Sequence, residues 1–401
     1  MKVVNGSVCA PQGFQAQGVD ADIKKNNKKE LAIIYSTQKC NTAGVFTTNK
    51  VRAACIDYCK AKMEAGIAQA IVVNSGNANA CTGDQGVKDC QRMADLTAEL
   101  LGLNNSDILV ASTGVIGVNM PMAKIEKAIR EAALSLSTGG DSNAAQAIMT
   151  TDLASKEIAV EIEIKGIPVR IGAIAKGSGM IHPNMATMLA FITTDAAVSS
   201  KCLQSMIKQS ADLSFNMISV DRDTSTNDML LIMANGLAGN PLIEDADSED
   251  YRTLKEAVDF VNTSLAKMIA RDGEGATHLI EVQVINAADL ETARVIARSI
   301  TGSNLTKAAV FGEDANWGRI LAAAGYSGAD FDPGRLDIYL GAEKMAENGM
   351  GLSFDEDKAR AELQKDTVQI IVDLKAGSCK ATAWGCDLSY DYVRINAAYR
   401  T

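Results

Sequence analysis

Residues 176–189 read Lys-Gly-Ser-Gly-Met-Ile-His-Pro-Asn-Met-Ala-Thr-Met-Leu, and an apolar run begins at Thr187. A turn that feeds a strand whose first residue carries a hydroxyl is the arrangement of a self-cleaving enzyme with an N-terminal nucleophile. Cleavage between Ala186 and Thr187 would free an α-amine with an ordinary pKa of about 7.7–8.0, so that this amine could serve as the base for the threonine Oγ. Taken alone, the pattern also fits an ordinary turn before a strand, where threonine is common.

A second group of chemical interest ends a predicted strand at residues 111–117, Ala-Ser-Thr-Gly-Val-Ile-Gly. Thr113 offers a hydroxyl, and Gly114 offers a backbone N–H that a substrate can approach closely because glycine has no side chain. Together they could stabilise the oxyanion that forms when Thr187 attacks a carbonyl. By itself the segment is more typical of a strand-to-loop transition with a flexible glycine.

The chain has two histidines, His182 and His278. This scarcity disfavours Ser-His-Asp catalysis and histidine-based metal sites. His182 lies five residues before Thr187, and we interpret it as a neighbour of the site and not as a catalyst. The pair Cys55 and Cys59 has no second cysteine pair or nearby histidine to complete a metal site, so no metal is predicted.

Residues 176–189 closely resemble the cleavage segment of the ornithine acetyltransferase family, also called the glutamate N-acetyltransferases. The resemblance runs the length of the chain, through residues 112–117, Met-Thr-Thr-Asp at 149–152, Arg-Asp-Gly-Glu-Gly-Ala-Thr at 271–277 and the ending at 394–401. It implies an α/β fold, an N-terminal-nucleophile-like αββα sandwich of the DmpA and ornithine acetyltransferase type with a smaller C-terminal lobe.

The same resemblance implies a mature enzyme of two chains, residues 1–186 (α) and 187–401 (β), which fold as one body and assemble as a dimer of heterodimers. It assigns Thr187 as nucleophile and Thr113 with Gly114 as the oxyanion hole. The substrate site would include Thr150, Lys176, Thr187, Glu274, Asn396 and Thr401. An ammonium such as that of Lys176 suits a substrate carboxylate, and the carboxylate of Glu274 suits an amine. Read locally, Lys176 could also be a surface lysine beside a turn, and C-termini are commonly frayed.

The implied reaction is a ping-pong transfer in the cyclic pathway of arginine biosynthesis. Thr187 would take acetyl from N2-acetyl-L-ornithine and deliver it to L-glutamate, with no metal or organic cofactor. Whether acetyl-CoA is a second acetyl donor is left open by the sequence. Two alternatives remain: an aminopeptidase of the DmpA type, which typically exposes a serine at the cleavage point, and a non-catalytic binding protein on the same fold. Three further polar segments resemble the family without an assigned role, at residues 73–80, 219–228 and 312–319.

Composition narrows the class of protein. The formal charge of −10 argues against non-specific nucleic-acid binding, which needs a basic surface. No apolar stretch reaches the roughly 18 residues of a membrane span, and residues 1–6 show no secretory signal. Nine scattered cysteines fit reduced thiols in a cytoplasm.

Apolar periodicity predicts the elements that must position these residues. Strands are predicted at residues 31–36, 69–74, 107–112, 157–164, 167–175, 187–192, 229–234, 279–285, 336–340, 368–374 and 379–386. Helices are predicted at residues 84–103, 121–136, 199–215, 248–269 and 290–299. Asp84 and Ser248 are expected as N-caps, and Pro121 is expected in a first helical turn. This alternation predicts helices packed on mixed sheets.

Overall fold

The computed structural model describes residues 1–24, 28–182 and 188–398. The predicted cleavage position, Ala186 and Thr187, and the C-terminal Thr401 lie outside these residues. The strands are β1 (Lys2–Val4), β2 (Phe14–Val19), β3 (Leu31–Phe46), β4 (Ile67–Asn77), β5 (Ile108–Val115), β6 (Lys156–Ile164), β7 (Ile167–Lys176), β8 (Leu189–Thr194), β9 (Ile218–Ser219), β10 (Met229–Ala234), β11 (Leu279–Ala287), β12 (Asp337–Leu340), β13 (Glu343–Glu347), β14 (Met350–Gly351), β15 (Thr367–Asp373) and β16 (Cys379–Cys386).

Helices alternate with these strands along the chain. They are α1 (Ala54–Met63), α2 (Gly83–Leu101), α3 (Met122–Leu134), α4 (Asp141–Ala147), α5 (Ser200–Leu213), α6 (Glu249–Arg271), α7 (Leu290–Thr301), α8 (Asn304–Phe311), α9 (Trp317–Gly325), α10 (Glu356–Leu363) and α11 (Tyr390–Ala398). The predicted α/β class is therefore confirmed.

The larger sheet has the strand order β1-β6-β7-β8-β10-β3-β4-β5, with β2 added to β3. Helices α1 to α4 pack on one face, and α5 and α6 pack on the other. Strand β8 lies inside this sheet, antiparallel to β7 and parallel to β10. Its side chains alternate between two apolar cores, with Leu189 and Phe191 in one and Ala190 and Ile192 in the other. The segment that follows Thr187 is thus fixed by burial on both faces.

The smaller sheet has the order β14-β13-β12-β15-β11-β16-β9 and forms most of the predicted C-terminal lobe. Helix α6 lies against both sheets, because it contacts β6 and β7 of the larger sheet and β11 and β16 of the smaller one. Helix α7 packs on β11 and β16 as well. One continuous apolar core therefore joins the lobe to the strands around β8.

Of three helix starts predicted from the sequence, one is confirmed and two differ from the structure. The side chain of Ser248 accepts a hydrogen bond from the Tyr251 N–H at 3.2 Å, which confirms it as the N-cap of α6. The prediction for Asp84 was wrong, because α2 begins one residue earlier, at Gly83, and Thr82 occupies the N-cap position. Pro121 occupies the N-cap position of α3, one residue before the first helical turn.

Candidate active site

A cavity of about 190 Å³ opens where the carboxyl ends of β5 and β7 meet the loop after α6 and the C-terminal helix α11. Six residues that the sequence predicted for the site line this cavity: Thr113, Gly114, Thr150, Lys176, Glu274 and Asn396. They come from five separate parts of the chain, so only the fold brings them together. We call this cavity the catalytic cavity.

Thr113 and Gly114 lie at the end of β5, beside the end of its parallel neighbour β4. Gly114 has a φ of +133°, and a Cβ there would lie 2.3 Å from the carbonyl carbon of Gly76, so only glycine fits. The Asn227 amide supports this strand end by donating to the Ser112 carbonyl at 2.7 Å. The Thr113 hydroxyl forms no hydrogen bond with any residue that the structure describes, which leaves it available to a ligand.

The start of β8 is fixed by its neighbours in the larger sheet and by one side chain. Leu189 begins β8 and is paired with Lys176 of β7 and with Met229 of β10. The Met188 N–H donates to the Asp228 carboxylate at 3.1 Å. The chain therefore enters β8 beside the end of β7, where Lys176 lines the catalytic cavity.

A buried ion network underlies the cavity. The Lys156 ammonium lies 2.7 Å from Asp152 and 2.6 Å from Asp272. One oxygen of Asp152 accepts the Gly177 N–H at 2.7 Å, and the other accepts the Thr150 N–H at 3.0 Å. Asp152 thus holds two backbone segments of the site, those of the Met-Thr-Thr-Asp motif and of the glycine-rich loop after β7.

Lys176 contributes a positive charge that is almost entirely buried, with 3% exposure. Burial lowers its pKa, while the neighbouring carboxylates of Asp152, Asp228 and Glu274 act in the opposite direction. The pKa of Asp152 falls to about 2, because burial, which would raise it, is outweighed by the ammonium groups of Lys176 and Lys156. Burial raises the pKa of Asp228 well above its ordinary value.

Glu274 reaches the cavity from the loop after α6. Its backbone N–H donates to the Ser178 carbonyl at 2.9 Å, and the Ser178 hydroxyl donates to the Asp272 carbonyl at 2.6 Å. The Asn396 amide donates to the Glu274 carboxylate at 2.8 Å. The carboxylate also packs on Gly179, where a Cβ would come within 2.4 Å of its carbon atom. Gly179 therefore makes room for the carboxylate of Glu274.

The sequence reading missed the acidic side of the cavity. Asp221, Asp223, Ser225, Thr226 and Asn227 line it, and all belong to the polar segment 219–228 that had no predicted role. Asp221 accepts the N–H groups of Met180 and Ile181 at 2.6 and 2.8 Å, while burial raises its pKa. The signal was present in the family resemblance of this segment, but periodicity could not bring it next to β7.

Side chains of the other two polar segments form hydrogen bonds with backbone groups. Within residues 73–80, the Asn77 amide donates to the Val118 carbonyl at 3.0 Å and the Asn79 amide donates to the Gly86 carbonyl at 2.8 Å. Within residues 312–319, the Asn316 side chain caps α9 by accepting the Arg319 N–H. These segments hold loops, and neither lines the catalytic cavity.

Several other residues noted in the sequence lie away from the cavity. His182 bonds to the Ser219 hydroxyl through Nδ1 at 3.2 Å, and it lines a separate cavity. Cys55 and Cys59 are buried on α1, and burial raises the pKa of Cys55 to about 12. Within the described ranges, no helix is long and apolar enough to cross a membrane, and no cluster of three or more metal-binding side chains occurs.

Comparison with known proteins decides the family. The sequence model of the ArgJ family matches residues 15–401. The arginine biosynthesis bifunctional protein ArgJ of Symbiobacterium thermophilum is 57% identical over 403 residues, covering 100% of both chains. That of Caldanaerobacter subterraneus subsp. tengcongensis is 53% identical over 405 residues with the same coverage. The chain belongs to the ArgJ family.

A solved ArgJ structure supports the fold. The crystal structure of arginine biosynthesis bifunctional protein argJ from Bacillus halodurans is 46% identical to the present chain, with a TM-score of 0.51. The match covers 52% of this chain and 98% of that one, so the solved chain is about half as long. The predicted resemblance and the fold that it implied are thus confirmed for this ArgJ family member.

Proposed function

We propose that this ArgJ family member transfers acetyl from N2-acetyl-L-ornithine to L-glutamate in arginine biosynthesis, through an acetyl-Thr187 intermediate. The observation that carries the proposal is the convergence of the Thr113–Gly114 pair, Lys176 and Glu274 in one cavity. This cavity lies beside the strand that begins immediately after Thr187 and Met188. An oxyanion hole, a cation and a carboxylate are the groups that such a reaction requires.

Self-cleavage is the first step of the proposal. Thr187 Oγ attacks the Ala186 carbonyl carbon, and the Ala186–Thr187 C–N bond breaks as the nitrogen takes the hydroxyl proton. Water then hydrolyses the resulting ester, which leaves a carboxylate on Ala186 and a free α-amine on Thr187. That amine is the general base for turnover. The Thr113 hydroxyl and the Gly114 N–H stabilise the oxyanion of each tetrahedral step.

Turnover uses the same oxygen twice. Thr187 Oγ attacks the acetyl carbonyl of N-acetylornithine while the α-amine of Thr187 takes its proton, and ornithine leaves with that proton on its nitrogen. The α-amine of glutamate then attacks the acetyl ester, and Thr187 Oγ leaves and is reprotonated. Since both steps pass through a tetrahedral oxyanion, one pair of donors serves both.

Charge recognition follows from the two buried ionic groups. Both substrates carry an α-carboxylate, and Lys176 is a nearly buried cation whose Nζ bonds to no side chain or carbonyl among the described residues. N-acetylornithine also has a side-chain ammonium, for which Glu274 offers a carboxylate held in place by Asn396. We assign Thr150 to the substrate side of the cavity, since its backbone is fixed by Asp152.

The proposed mature enzyme has an α-chain of residues 1–186 and a β-chain of residues 187–401. The half-length chain of the Bacillus halodurans relative supports this division. The two chains would stay associated, because β7 before the cut and β8 after it are adjacent strands of one sheet. We also propose a dimer of heterodimers, a cytoplasmic location and, on the family resemblance, a place for Thr401 at the substrate.

The two relatives are named bifunctional proteins, which supports a second acetyl donor. We propose that acetyl-CoA can acetylate Thr187 as well, with no metal or organic cofactor resident in the protein.

Isotope exchange separates the two half-reactions. Labelled ornithine should enter N-acetylornithine in the absence of glutamate, and Thr187→Ala should abolish that exchange. Exchange that requires glutamate would exclude the acetyl-enzyme intermediate.

A further inference from the structure

A second polar cavity of about 260 Å³ lies outside the catalytic cavity. It is formed by the segment after β7, the polar segment 219–228, helix α7 and the turn after α9. We call it the basic cavity. Its polar lining consists of His182, Arg222, Arg298, Ser299, Tyr326 and Ser327.

The lining of the basic cavity carries a net positive charge. Its lining in the described part of the chain contains two arginines and no carboxylate. Arg298 has one ion pair, with Glu291 at 3.5 Å, and 70% of that glutamate side chain is exposed. Arg222 forms no ion pair within the described ranges; the aliphatic part of its side chain lies against Gly302. An exposed ion pair such as Arg298–Glu291 contributes little to stability, so Arg298 can exchange it for a bound anion. The guanidinium groups of Arg298 and Arg222 can therefore both donate hydrogen bonds to an anion.

The positive charges of the two arginines act on His182. Burial and, after it, the positive charges of Arg222 and Arg298 together lower the pKa of His182 to about 4, while the carboxylate of Asp223 acts in the opposite direction. The imidazole ring and both guanidinium groups line the same cavity. At neutral pH the imidazole is uncharged, and its Nδ1 is engaged by the Ser219 hydroxyl at 3.2 Å.

The two cavities share one wall. Along residues 221–223, Asp221 and Asp223 face the catalytic cavity, while Arg222 between them faces the basic cavity. Asp221 binds the N–H groups of Met180 and Ile181, and the residue after these two, His182, faces the basic cavity. Residues 221–223 and 180–182 therefore contribute to both the basic cavity and the catalytic cavity.

We propose that the basic cavity binds a small oxyanion, a carboxylate or a phosphate, and that its occupancy alters substrate affinity in the catalytic cavity. Guanidinium groups recognise such anions through paired N–H donors, and the hydroxyls of Ser299, Tyr326 and Ser327 can add further donors. The second half of the proposal rests on the proposed acetyltransferase function. The first half does not.

Two sources of such an anion are chemically distinct. One is a free metabolite-sized carboxylate or phosphate. The other is the carboxylate that self-cleavage would leave on Ala186, four residues after His182 and thus within a chain reach of about 14 Å. Both present the same group to the arginines, and comparison of cut with uncut protein distinguishes them.

Calorimetric titration of the full-length protein with inorganic phosphate, in a chloride buffer, tests the site. We expect binding that weakens about tenfold in Arg222→Gln and in Arg298→Gln, because each removes a charged hydrogen-bond donor. Arg294→Gln on the same helix is the matched control and should bind as the wild type does, since Arg294 does not line the cavity. Binding seen in the uncut Thr187→Ala chain but not in the cut protein would also support the site and identify the Ala186 carboxylate as its occupant.

Phosphate binding that is unchanged in both arginine variants would overturn the proposal, as would binding that is lost in Lys176→Met, since the anion would then lie in the catalytic cavity. The coupling has its own readout. Saturating phosphate should change the KM for glutamate at least about twofold in the wild type and not in Arg298→Gln; an equal effect in both would exclude coupling. Because calorimetry needs no turnover, failure of the acetyltransferase proposal would leave the binding result intact.

Discussion

The Asn396 amide donates a 2.8 Å hydrogen bond to the carboxylate of Glu274, and this bond ties the C-terminal helix α11 to the loop after α6. Asn396 itself is braced by a second bond, from the same amide to the Tyr392 carbonyl at 3.0 Å. The other oxygen of Glu274 has no hydrogen-bond partner among the described residues. The chain's last helix therefore orients a carboxylate towards the catalytic cavity and leaves one oxygen for a ligand.

Glu274→Gln should raise the KM for N-acetylornithine by roughly ten- to hundredfold, because the substrate ammonium loses a charged partner. Asn396→Ala should raise it less, since the carboxylate remains. The KM for glutamate, which has no side-chain ammonium, should change little in either variant. Steady-state kinetics with each substrate measures the split. Glu256→Gln, on the exposed face of α6, serves as the control; equal effects on both substrates would remove Glu274 from ammonium recognition.

Lys176→Met should raise the KM for both substrates, because both carry the α-carboxylate that this cation is proposed to bind. The variant also removes the positive charge that opposes the effect of burial on the pKa of Asp228. Comparison of the two KM values with those of Glu274→Gln is the informative measurement. An increase confined to N-acetylornithine would contradict the assignment of Lys176.

Thr113→Val should slow both self-cleavage and turnover by about 10²–10³-fold, the usual effect of losing one oxyanion donor. Thr113→Ser keeps the hydroxyl and should retain most activity. Pulse–chase electrophoresis follows maturation, and initial rates follow turnover. If valine slowed turnover alone, the two reactions would not share one oxyanion hole. Gly114→Ala is a poorer test, because its Cβ would also collide with Gly76 and disturb the paired ends of β4 and β5.

Asp152→Asn should lower the free energy of unfolding at pH 7 by about 3–5 kcal/mol, since it removes one of the carboxylates that compensate the buried charges of Lys156 and Lys176. Because the folded pKa of Asp152 is about 2, below its ordinary value of 3.8, the stabilisation is present above about pH 4 and is lost as the pH falls through 2. The gap between wild type and variant should therefore narrow in acid.

Urea denaturation between pH 7 and pH 3 checks this behaviour. Asp57→Asn is the matched control, because Asp57 is paired with Arg52 on the surface, with 62% of its side chain exposed, and should cost less than about 1 kcal/mol. A gap that stayed constant with pH would show that Asp152 stabilises the fold by packing and not by its charge.

Local signals in the sequence were sufficient for much of the fold. The hairpin of β6 and β7 lies where alternation predicted it, and β10 and β16 also lie where strands were predicted. Strand β10 is a short apolar run that is buried along its whole length. Helix α1 was not predicted. Its apolar residues give a weak amphipathic pattern, and its burial depends on the distant strand β5.

The site was predictable only where a motif could be compared with a family. Thr113, Lys176 and Glu274 lie on separate elements, and no local pattern indicates that they share a cavity. Asp221 and Asp223 were not predicted as site residues for the same reason. Their loop is held at the cavity by hydrogen bonds from residues 180–181 to Asp221. Ala186, Thr187 and Thr401 lie outside the described residues, so their assignment stays a prediction.

Intact-mass analysis under denaturing conditions, after incubation with N-acetylornithine and no acceptor, tests the central claim most directly. We predict two fragments, residues 1–186 and 187–401, with one acetyl group added to the second. Addition of glutamate should remove that acetyl group. Two fragments that never carry acetyl would contradict the transfer step, and a single uncut chain of 401 residues would contradict Thr187 as an N-terminal nucleophile.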